Sequence, residues 1–512
     1  MFPVGPSLMG KLKAVTDPPD ALVSQNGAGD GAELRQLARN FIYAAFPELA
    51  RVRVIPTSDY RRLLQVGRDY MGGDLMFLDA FQELEARLQQ AYPARFSRPL
   101  GHLDADFPNS YIFSLLEGVI ARTYPGDQHP DEDSIDKSID EFIGVLEATE
   151  RDFYYCRAVS HLTTKDEGVV TIEGVSIYPD AAYAGGILGV TQKLIPAVSA
   201  AYNGEPPSSY DPPHALLVAH GAFGGGNQFG LEGQLSRAVD RFLLLTRLLH
   251  MGTNQSLWQV SGGSSLVSGI HPRYMQFLGT TVPNILMQRI ISLSDGDGAA
   301  FTALGQMIDA AAVARKDKAA TSFDVALYEF SHSYEPGAAH EHIVDLATAL
   351  EAIVTGNERE TEAISLRLKS RAAALLACER DPAQTVFRDI GKLYGLRSQL
   401  VHGSSIDAAD LKKLLTGIST VPTTAPSGVV WSFAVDRLRD LVRRLFLARL
   451  CLAEGSSAIW PFTGSTPVDA LLSDATERDR WRQTWRDRLT ALGAAEAANP
   501  AVAANDPLAP RV

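Results

Sequence analysis

The spacing of apolar residues changes twice along this chain of 512 residues, and no other feature of the sequence constrains the fold as strongly. Apolar residues recur every three or four positions from about residue 33 to residue 150, which predicts helices. From residue 152 the pattern changes to short β-like stretches, including Phe153–Val159 and Val169–Tyr178. The helical spacing returns near residue 299 and continues to about residue 495. Because a chain of this length exceeds one hydrophobic core, we expect a multidomain α+β protein.

These changes in spacing set the predicted domain boundaries. They give a mainly helical N-terminal region at 1–148, a mixed α/β domain at 149–297, an all-α helical bundle at 298–455, a C-terminal helical extension at 456–495 and a tail at 496–512. The tail is rich in Ala, Asn and Pro and has few bulky apolar residues, so it is predicted to be disordered.

Charge and cysteine content narrow the choice of partners and compartment. The 47 basic and 60 acidic side chains leave a formal charge of −13, which opposes long-range attraction to nucleic acid or anionic lipid, so any polyanion site must be local. The three cysteines are far apart, which favours a reducing compartment. Neither a signal-peptide pattern nor an apolar stretch of membrane-spanning length is visible. We therefore expect a cytoplasmic protein without membrane contact.

The common catalytic and metal-binding motifs do not occur in the sequence. It contains no Walker loop, no GxSxG elbow and no HExxH helix, so we expect neither a metal nor a cofactor. His340, Glu341 and His342 offer metal-ligating atoms, but residues one or two apart on a helix point in different directions, which favours a solvated helix start. The run from 220 to 226 could cradle an anion, yet a flexible turn is the better interpretation because the run lacks the glycine spacing of a dinucleotide site.

The segment from Asp381 to Gly403 reads as a helix with both ends marked. Asp381 can cap the helix, Pro382 suits its first position, and Gln384 completes a capping box. Gly403 is typical of the residue that follows a helix. Arg397 belongs to the apolar stripe of this helix, where a guanidinium needs an anionic or hydrogen-bonding partner. The other members of the stripe are Phe387, Ile390, Tyr394 and Val401.

A second face of the same helix consists of small side chains and ends in a histidine. Its members are Gly391, Gly395, Ser398 and His402. Such a face usually packs against a neighbouring helix within one bundle, and the alternative is a cleft or a two-fold interface with His402 at its open end. His402 lies in the last turn, where the helix dipole favours the protonated imidazolium, which suits a proton donor.

Two other stretches offer arginines to RNA. In the helix predicted at Val435–Leu450, Arg443 and Arg444 are candidate RNA contacts, although a solvated face is the usual explanation for such a pattern. Trp481 and Trp485 lie one turn apart among further arginines. They could stack on bases, but we expect them to anchor the C-terminal helix to the body of the protein.

The end of the Asp381–Gly403 helix resembles a motif of a known family. The residues Leu393-Tyr394-Gly395-Leu396-Arg397-Ser398-Gln399-Leu400-Val401-His402-Gly403 look like the "lYxxRSxxVHG" helix of the Apea-like branch of HEPN (higher eukaryotes and prokaryotes nucleotide-binding) domains. These domains are found in bacterial proteins often linked to phage defence. Upstream, Asp345–Ile353 and Arg371–Leu376 are similar to that family's "ALE" and "R-xx-LL" helices, in the same order. The likeness covers about 120 residues, from Tyr334 to Ala453.

The resemblance implies a HEPN bundle, commonly dimeric, in which Arg and His of two copies line a shared cleft. It implies a metal-independent endoribonuclease of anti-phage defence that acts through abortive infection. Arg397 would then stabilise phosphate, and His402 would exchange protons with the ribose 2′-hydroxyl or the leaving oxygen, leaving a 2′,3′-cyclic phosphate. The resemblance also implies supporting positions at Ser398, Glu351 and Tyr394.

Two alternatives remain open at this point. Ser398 stands where many active HEPN ribonucleases have Asn, Asp or His, which favours a catalytically inactive module that binds nucleotide or RNA, or that dimerises. Alternatively, Arg397 pairs with a buried carboxylate such as Glu351, and the pair is purely structural.

Overall fold

The computed structural model describes the greater part of the chain. The described residues are 28–52, 74–96, 111–112, 115–116, 119, 131–148, 151–179, 215–223, 228–250, 254, 256–263, 274–277, 290–313, 321–335, 337–355, 363–402, 408–426, 430–453 and 468–500. Within them the architecture is α+β, with many helices, one antiparallel sheet and one pair of parallel strands.

The N-terminal helices pack around a hydrophobic core of their own. They are α1 (Ala28–Val52), α2 (Asp79–Ala91), the short α3 (Pro93–Phe96) and α4 (Glu132–Glu147). Helix α1 contacts both α2 and α4, and the rings of Phe41 and Phe81 meet edge to face with their centroids 5.6 Å apart. The helices predicted for this region are therefore confirmed within these bounds.

The strands form a six-stranded antiparallel sheet in the order β3-β4-β5-β1-β6-β7, and β2 pairs in parallel with β8. Their bounds are β1 (Arg151–Val159), β2 (Leu162–Thr164), β3 (Val170–Ile172), β4 (Val175–Pro179), β5 (Ala215–Phe223), β6 (Ser256–Gly263), β7 (Tyr274–Phe277) and β8 (Ile291–Leu293). Strand β1 is central, since its Cys156 lies opposite Val218 of β5 and Val260 of β6. Helix α5 (Gln228–Leu249) packs on β1 and β5.

Two sequence expectations for this region are refined by the structure. The β-like stretch from Val169 to Tyr178 is a hairpin, because Glu173 and Gly174 both have positive φ angles, 52° and 76°, as a tight hairpin turn requires. The turn predicted for residues 220–226 is wrong for its first four residues. Residues 220–223 continue strand β5, and residues 224–226 lie outside the described residues.

The C-terminal half is a helical assembly built around one buried helix. Its helices are α6 (Gly298–Val313), α7 (Ser322–His332), α8 (Ala339–Thr355), α9 (Ile364–Leu376), α10 (Ala383–Val401), α11 (Ala408–Leu415), α12 (Val430–Ala453), α13 (Val468–Ser473) and α14 (Ala475–Ala491). Every residue of α12 from Ser432 to Leu452 is buried, and α12 contacts α8, α9, α14 and α5. Helix α12 is therefore the centre of this assembly.

The sheet and the C-terminal helices share one hydrophobic core. A single cluster of buried apolar residues runs from Phe153 in β1 to Ala498, so the predicted boundary at 297 does not coincide with a gap in this core. Among the described residues, no helix is both long enough and apolar enough to cross a membrane.

The prediction that the disordered tail starts at residue 496 is wrong. A 3-10 turn at Ala495–Ala498 buries Ala497 and Ala498, and the carbonyl oxygens of Ala497 and Asn499 accept hydrogen bonds from Arg443 at 2.7 and 3.1 Å. Backbone contacts with a buried arginine hold this segment, and composition alone does not reveal them. Residues 501–512 lie outside the described residues.

Candidate functional site

The predicted helix exists as α10, but its N-terminus is not capped as expected. The helix starts at Ala383 with Pro382 in the capping position, and no side chain caps it. Asp381 is instead buried and binds Arg437 and Arg444 of α12. The Asp381 carboxylate therefore forms ion pairs with arginines that are distant in sequence, and it does not cap α10.

At the other end of α10, Tyr394, Glu351 and Arg397 form a group. The Tyr394 hydroxyl donates a hydrogen bond of 3.0 Å to the carboxylate of Glu351 on α8. The Arg397 guanidinium lies over the Tyr394 ring, 5.9 Å from its centroid. Because residues three apart share a helix face, Tyr394 and Arg397 point to the same side of α10. The structure therefore brings three of the predicted site residues together.

The pKa of the Tyr394 hydroxyl explains the direction of its hydrogen bond. Burial and the negative charge of Glu351 raise this pKa, and the positive charge of Arg397 opposes them only in part. The phenol consequently keeps its proton and donates, while the Glu351 carboxylate accepts. Glu351 thus holds the ring on which the guanidinium rests.

Arg397 has no anionic partner among the described residues. Its side chain is half-buried, and its buried Nε atom has no hydrogen-bond partner. No ion pair joins it to Glu351, whose carboxylate binds Tyr394 instead. The alternative of a structural pair between Arg397 and Glu351 is therefore wrong.

His402 lies at the exposed end of α10. It is the C-cap residue, and its backbone N–H donates to the carbonyl oxygen of Ser398 at 3.1 Å. Among the described residues, no contact joins His402 to Arg397. Residues five apart are separated by roughly 140° around an α-helix, so one copy of α10 sends the two side chains in different directions. Gly403, the predicted stop, lies outside the described residues.

The two predicted faces of α10 differ from expectation. Phe387 and Val401 are exposed, and the face that is buried is rotated relative to the predicted stripe. Its members are Val386, Asp389, Ile390, Leu393 and Leu396. On the small-residue face, a Cβ atom added at Gly395 would meet no described atom within 4 Å. Among the described residues, the usual explanation, close packing of a neighbouring helix, therefore does not hold at Gly395, whereas Gly391 of the same face lies against the Lys369 side chain of α9.

Arg443 and Arg444 are not available to RNA. Their relative exposures are 2% and 0%, and Arg444 binds Asp381 and Asp440 while Arg443 binds Asp440. The predictions of an RNA contact and of a solvated arginine face are both wrong for these residues. The reason is that α12 lies in the centre of the assembly, where both guanidinium groups bind a buried carboxylate.

The tryptophans of α14 are anchors, as predicted. Trp481 and Trp485 are buried, and the Trp485 indole N–H donates to the carbonyl oxygen of Leu375 at 3.2 Å. Arg482 and Arg486 also donate to carbonyl oxygens at the C-terminal end of α9. These side chains supply hydrogen-bond donors to the last turn of α9, where carbonyl oxygens lack donors from the helix itself.

Sequence reasoning missed one cluster of titratable residues between α7 and α8. Glu329, His332 and Asp345 bring their side-chain donor atoms within 4.8 Å of one another, and His342 lies beside them. His342 is 3% exposed, so the prediction of a solvated helix start is wrong for it. The signal in the sequence is a pair of three-residue spacings, Glu329 to His332 and His342 to Asp345, each of which puts two ligand types on one helix face.

A surface groove of about 870 Å³ lies at the N-terminal end of α10, away from Arg397 and His402. Its lining includes Cys378, Phe387, Leu472, Arg478 and Arg482. The groove therefore does not belong to the candidate site.

Comparison with known proteins gives no relative. No family model, no curated protein and no solved structure matches this chain.

Proposed function

We propose that this chain is a HEPN-type endoribonuclease of bacterial anti-phage defence, whose reaction needs no metal and in which Arg397 and His402 act on the RNA backbone. The observation that supports this best is that Arg397 is half-buried and has no anionic partner among the described residues. The resemblance of the Leu393–Gly403 segment to the HEPN helix supplies the family.

The other arginines of the assembly show why this observation matters. Arg437 and Arg444 each bind Asp381, and Arg443 binds Asp440, so their charges are neutralised inside the protein. A guanidinium in a partly buried position is costly unless carboxylates, backbone carbonyl oxygens or a ligand accept its hydrogen bonds. A phosphodiester offers two oxygens that suit the planar guanidinium fork.

The reaction that fits these groups is an internal transfer at phosphorus. A base takes the proton of the ribose 2′-hydroxyl, the 2′-oxygen attacks phosphorus, and the bond to the 5′-oxygen breaks after that oxygen receives a proton. His402 serves as the acid or the base, and Arg397 stabilises the charge that develops on the phosphorane oxygens. The products are a 2′,3′-cyclic phosphate and a free 5′-hydroxyl.

A second copy of the chain completes the proposed site. Because Arg397 and His402 point in different directions from one α10, one copy does not supply both groups to the same phosphate in the observed arrangement. Two copies related by a two-fold axis at the open face around Gly395 would place the Arg of one opposite the His of the other. The proposal therefore includes a homodimer formed through the ends of the two α10 helices.

RNA cleavage in the presence of a chelator tests this proposal. Wild-type protein is incubated with total RNA and EDTA, beside Arg397→Ala, His402→Ala and the control Arg388→Ala, which removes an exposed arginine from the same helix. We expect each of the two site variants to lose about 100-fold or more of the rate. The control should retain it, and new RNA ends should carry 2′,3′-cyclic phosphate. Equal cleavage by wild type and Arg397→Ala contradicts the assignment.

The catalytically inactive module remains a second candidate, favoured by the lack of contact between Arg397 and His402 within one chain and by Ser398. In that case the chain binds RNA or nucleotide at Arg397 without cleaving it. Arg397→Ala would then weaken binding in a filter or fluorescence assay, while no cyclic phosphate ends would appear with any variant.

A further inference from the structure

Two packed helices, α7 and α8, bring imidazole and carboxylate groups to one place. On α7, Glu329 and His332 are three residues apart and share a face. On α8, His342 and Asp345 have the same spacing. The His332 Nδ1 atom lies 3.0 Å from the Asp345 Oδ2 atom, and the His342 Nδ1 atom lies 4.0 Å from that same oxygen. The Glu329 carboxylate also lies beside Asp345, so the cluster has four members.

His342 is the member of this cluster that hydrogen bonding does not explain. It is 3% exposed, and neither ring nitrogen has a hydrogen-bond partner in the part of the chain that the structure describes. A buried polar group without a partner costs free energy, so a site that persists with one normally has a ligand for it. Its Nδ1 atom is directed toward the Asp345 carboxylate, into the cluster.

The unused nitrogen atoms of His342 suit metal binding. A metal ion binds an imidazole through the lone pair of a ring nitrogen. The His342 Nδ1 atom lies 4.0 Å from an oxygen of the Asp345 carboxylate, so a metal ion held by that carboxylate would be close to it.

The two carboxylates of the cluster lie close together. The ligand atoms of Glu329, Asp345 and His332 are all within 4.8 Å of one another. Two close carboxylates disfavour each other's charge, and a divalent cation between them removes that repulsion.

We propose that Glu329, His332, His342 and Asp345 bind one Zn²⁺ ion that links α7 to α8. Two nitrogen and two carboxylate ligands suit Zn²⁺, which is usually four-coordinate in structural sites. Ca²⁺ and Mg²⁺ prefer shells of oxygen atoms alone, so two imidazoles count against them. Bonds of about 2.0–2.2 Å place tetrahedral ligand atoms roughly 3.3 Å apart. The ligand atoms of Glu329, His332 and Asp345 already lie within 4.8 Å of one another, and the His342 Nδ1 atom is 4.0 Å from the Asp345 Oδ2 atom.

The site is independent of the proposed ribonuclease chemistry. Its four ligands lie on α7 and α8, and none belongs to α10. The connection between the two helices is held by the central helix, because Arg439 of α12 donates to the Ser333 carbonyl oxygen and lies over the Tyr334 ring, 4.4 Å from its centroid. The ion would therefore stabilise this helical hairpin. Since His332 is exposed, Zn²⁺ can reach the site from solvent.

Calorimetric titration with Zn²⁺ tests the site in the full chain after removal of bound metal with a chelator. The variants are His332→Gln and Asp345→Asn, and the matched control is His340→Gln, an exposed histidine at the start of α8. We expect one Zn²⁺ per chain in wild type and control, and none at the same concentration in the two ligand variants. Zn²⁺ should raise the thermal unfolding midpoint of wild type and control only, and Co²⁺ should give the absorption bands of a tetrahedral site in both.

Two results would overturn the proposal. One is wild-type protein that binds no Zn²⁺, and the other is binding that His332→Gln leaves unchanged. His332 is exposed, so its substitution should not prevent folding, and the unfolding midpoint of the metal-free variant checks this. If Asp345→Asn fails to fold, the His332→Gln result alone decides.

Discussion

At the scale of single residues, buried arginines of α12 are neutralised by buried aspartates. Arg437, Arg443 and Arg444 share three buried aspartates, so that three positive and three negative charges balance inside the protein. The aspartates are Asp381, Asp389 and Asp440. Arg397 has no anionic partner among the described residues, and we attribute this to a ligand. Arg486 has none there either, but its guanidinium donates to the carbonyl oxygens of Leu376 and Ala377.

The balance predicts a large effect of removing one shared aspartate. Asp381 binds Arg437 through two hydrogen bonds of 3.0 and 2.8 Å and Arg444 through one of 2.5 Å. Asp381→Ala leaves two buried guanidinium groups short of a partner, so we expect it to lower the free energy of unfolding by about 3–5 kcal/mol. Chemical denaturation measures this value.

The neighbouring carboxylate provides the control. Glu379 is exposed, so Glu379→Ala should change the free energy of unfolding by about 0.5 kcal/mol or less. Similar effects of the two substitutions would show that the buried network does not stabilise the fold.

At the scale of elements, the sequence predicted where helices and strands occur better than how they pack. The helical spacing located α10 and α12, and the alternation located β1, because both patterns are local. The arginines of α12 recur three or four residues after aspartates, as Asp436 and Arg439 do, which is also the pattern of a solvated helix face. In the structure α12 is buried, and its arginines pair with Asp381 and Asp389, which are distant in sequence. A single sequence contains no signal for that pairing.

The same limit applies to the candidate sites. Arg397 and His402 were found because a short helical motif carries both, and Tyr394 with Glu351 followed from the same resemblance. The cluster of Glu329, His332 and Asp345 was missed because its ligands come from two helices whose contact no local pattern reveals. Whether another helix packs against Gly395 also depends on contacts between residues distant in sequence, so no local pattern predicts it.

The charge network of α12 also predicts how stability depends on pH. Burial alone would raise the pKa of Asp440, but the guanidinium groups of Arg444, Arg443 and Arg437 outweigh it, and the pKa lies below its ordinary value of 3.8. A carboxylate with a lowered pKa in the folded state stabilises the fold above its unfolded-state pKa, and this contribution is lost as the pH falls through the folded-state value. We therefore expect the urea midpoint to fall steeply below about pH 4.

The Asp440→Asn substitution measures how much of the pH dependence of stability comes from Asp440. Asp440→Asn removes the titrating group, so its urea midpoint should change less between pH 5 and pH 3 than that of wild type, although the variant is less stable throughout. Asp166→Asn, at an exposed position, should follow the wild-type curve. An Asp440→Asn curve as steep as that of wild type would assign the acid sensitivity to other groups.

At the scale of the whole molecule, one continuous core joins the sheet to the helical assembly, while the N-terminal helices have a core of their own. The face around Gly395 belongs to neither core. With a net charge of −13, two copies repel each other at long range, so a dimer must be held by close local contact. The small side chains of α10 allow such an approach.

Gly395→Leu tests the dimer on which the ribonuclease proposal depends. A Cβ atom at Gly395 meets no described atom within 4 Å, so a single chain should accept the larger side chain, and its stability should rise by about 0.5–1 kcal/mol because glycine is a poor helix former. Two α10 helices packed at this face would clash. We expect wild type to sediment as a dimer, and Gly395→Leu to sediment as a monomer that no longer cleaves RNA.

Gly144→Leu is the matched control, since a Cβ at this helical glycine of α4 also meets no described atom within 4 Å, and it should remain an active dimer. If Gly395→Leu stays dimeric and active, the shared cleft is not at this face, and Arg397 must meet its phosphate within a single chain.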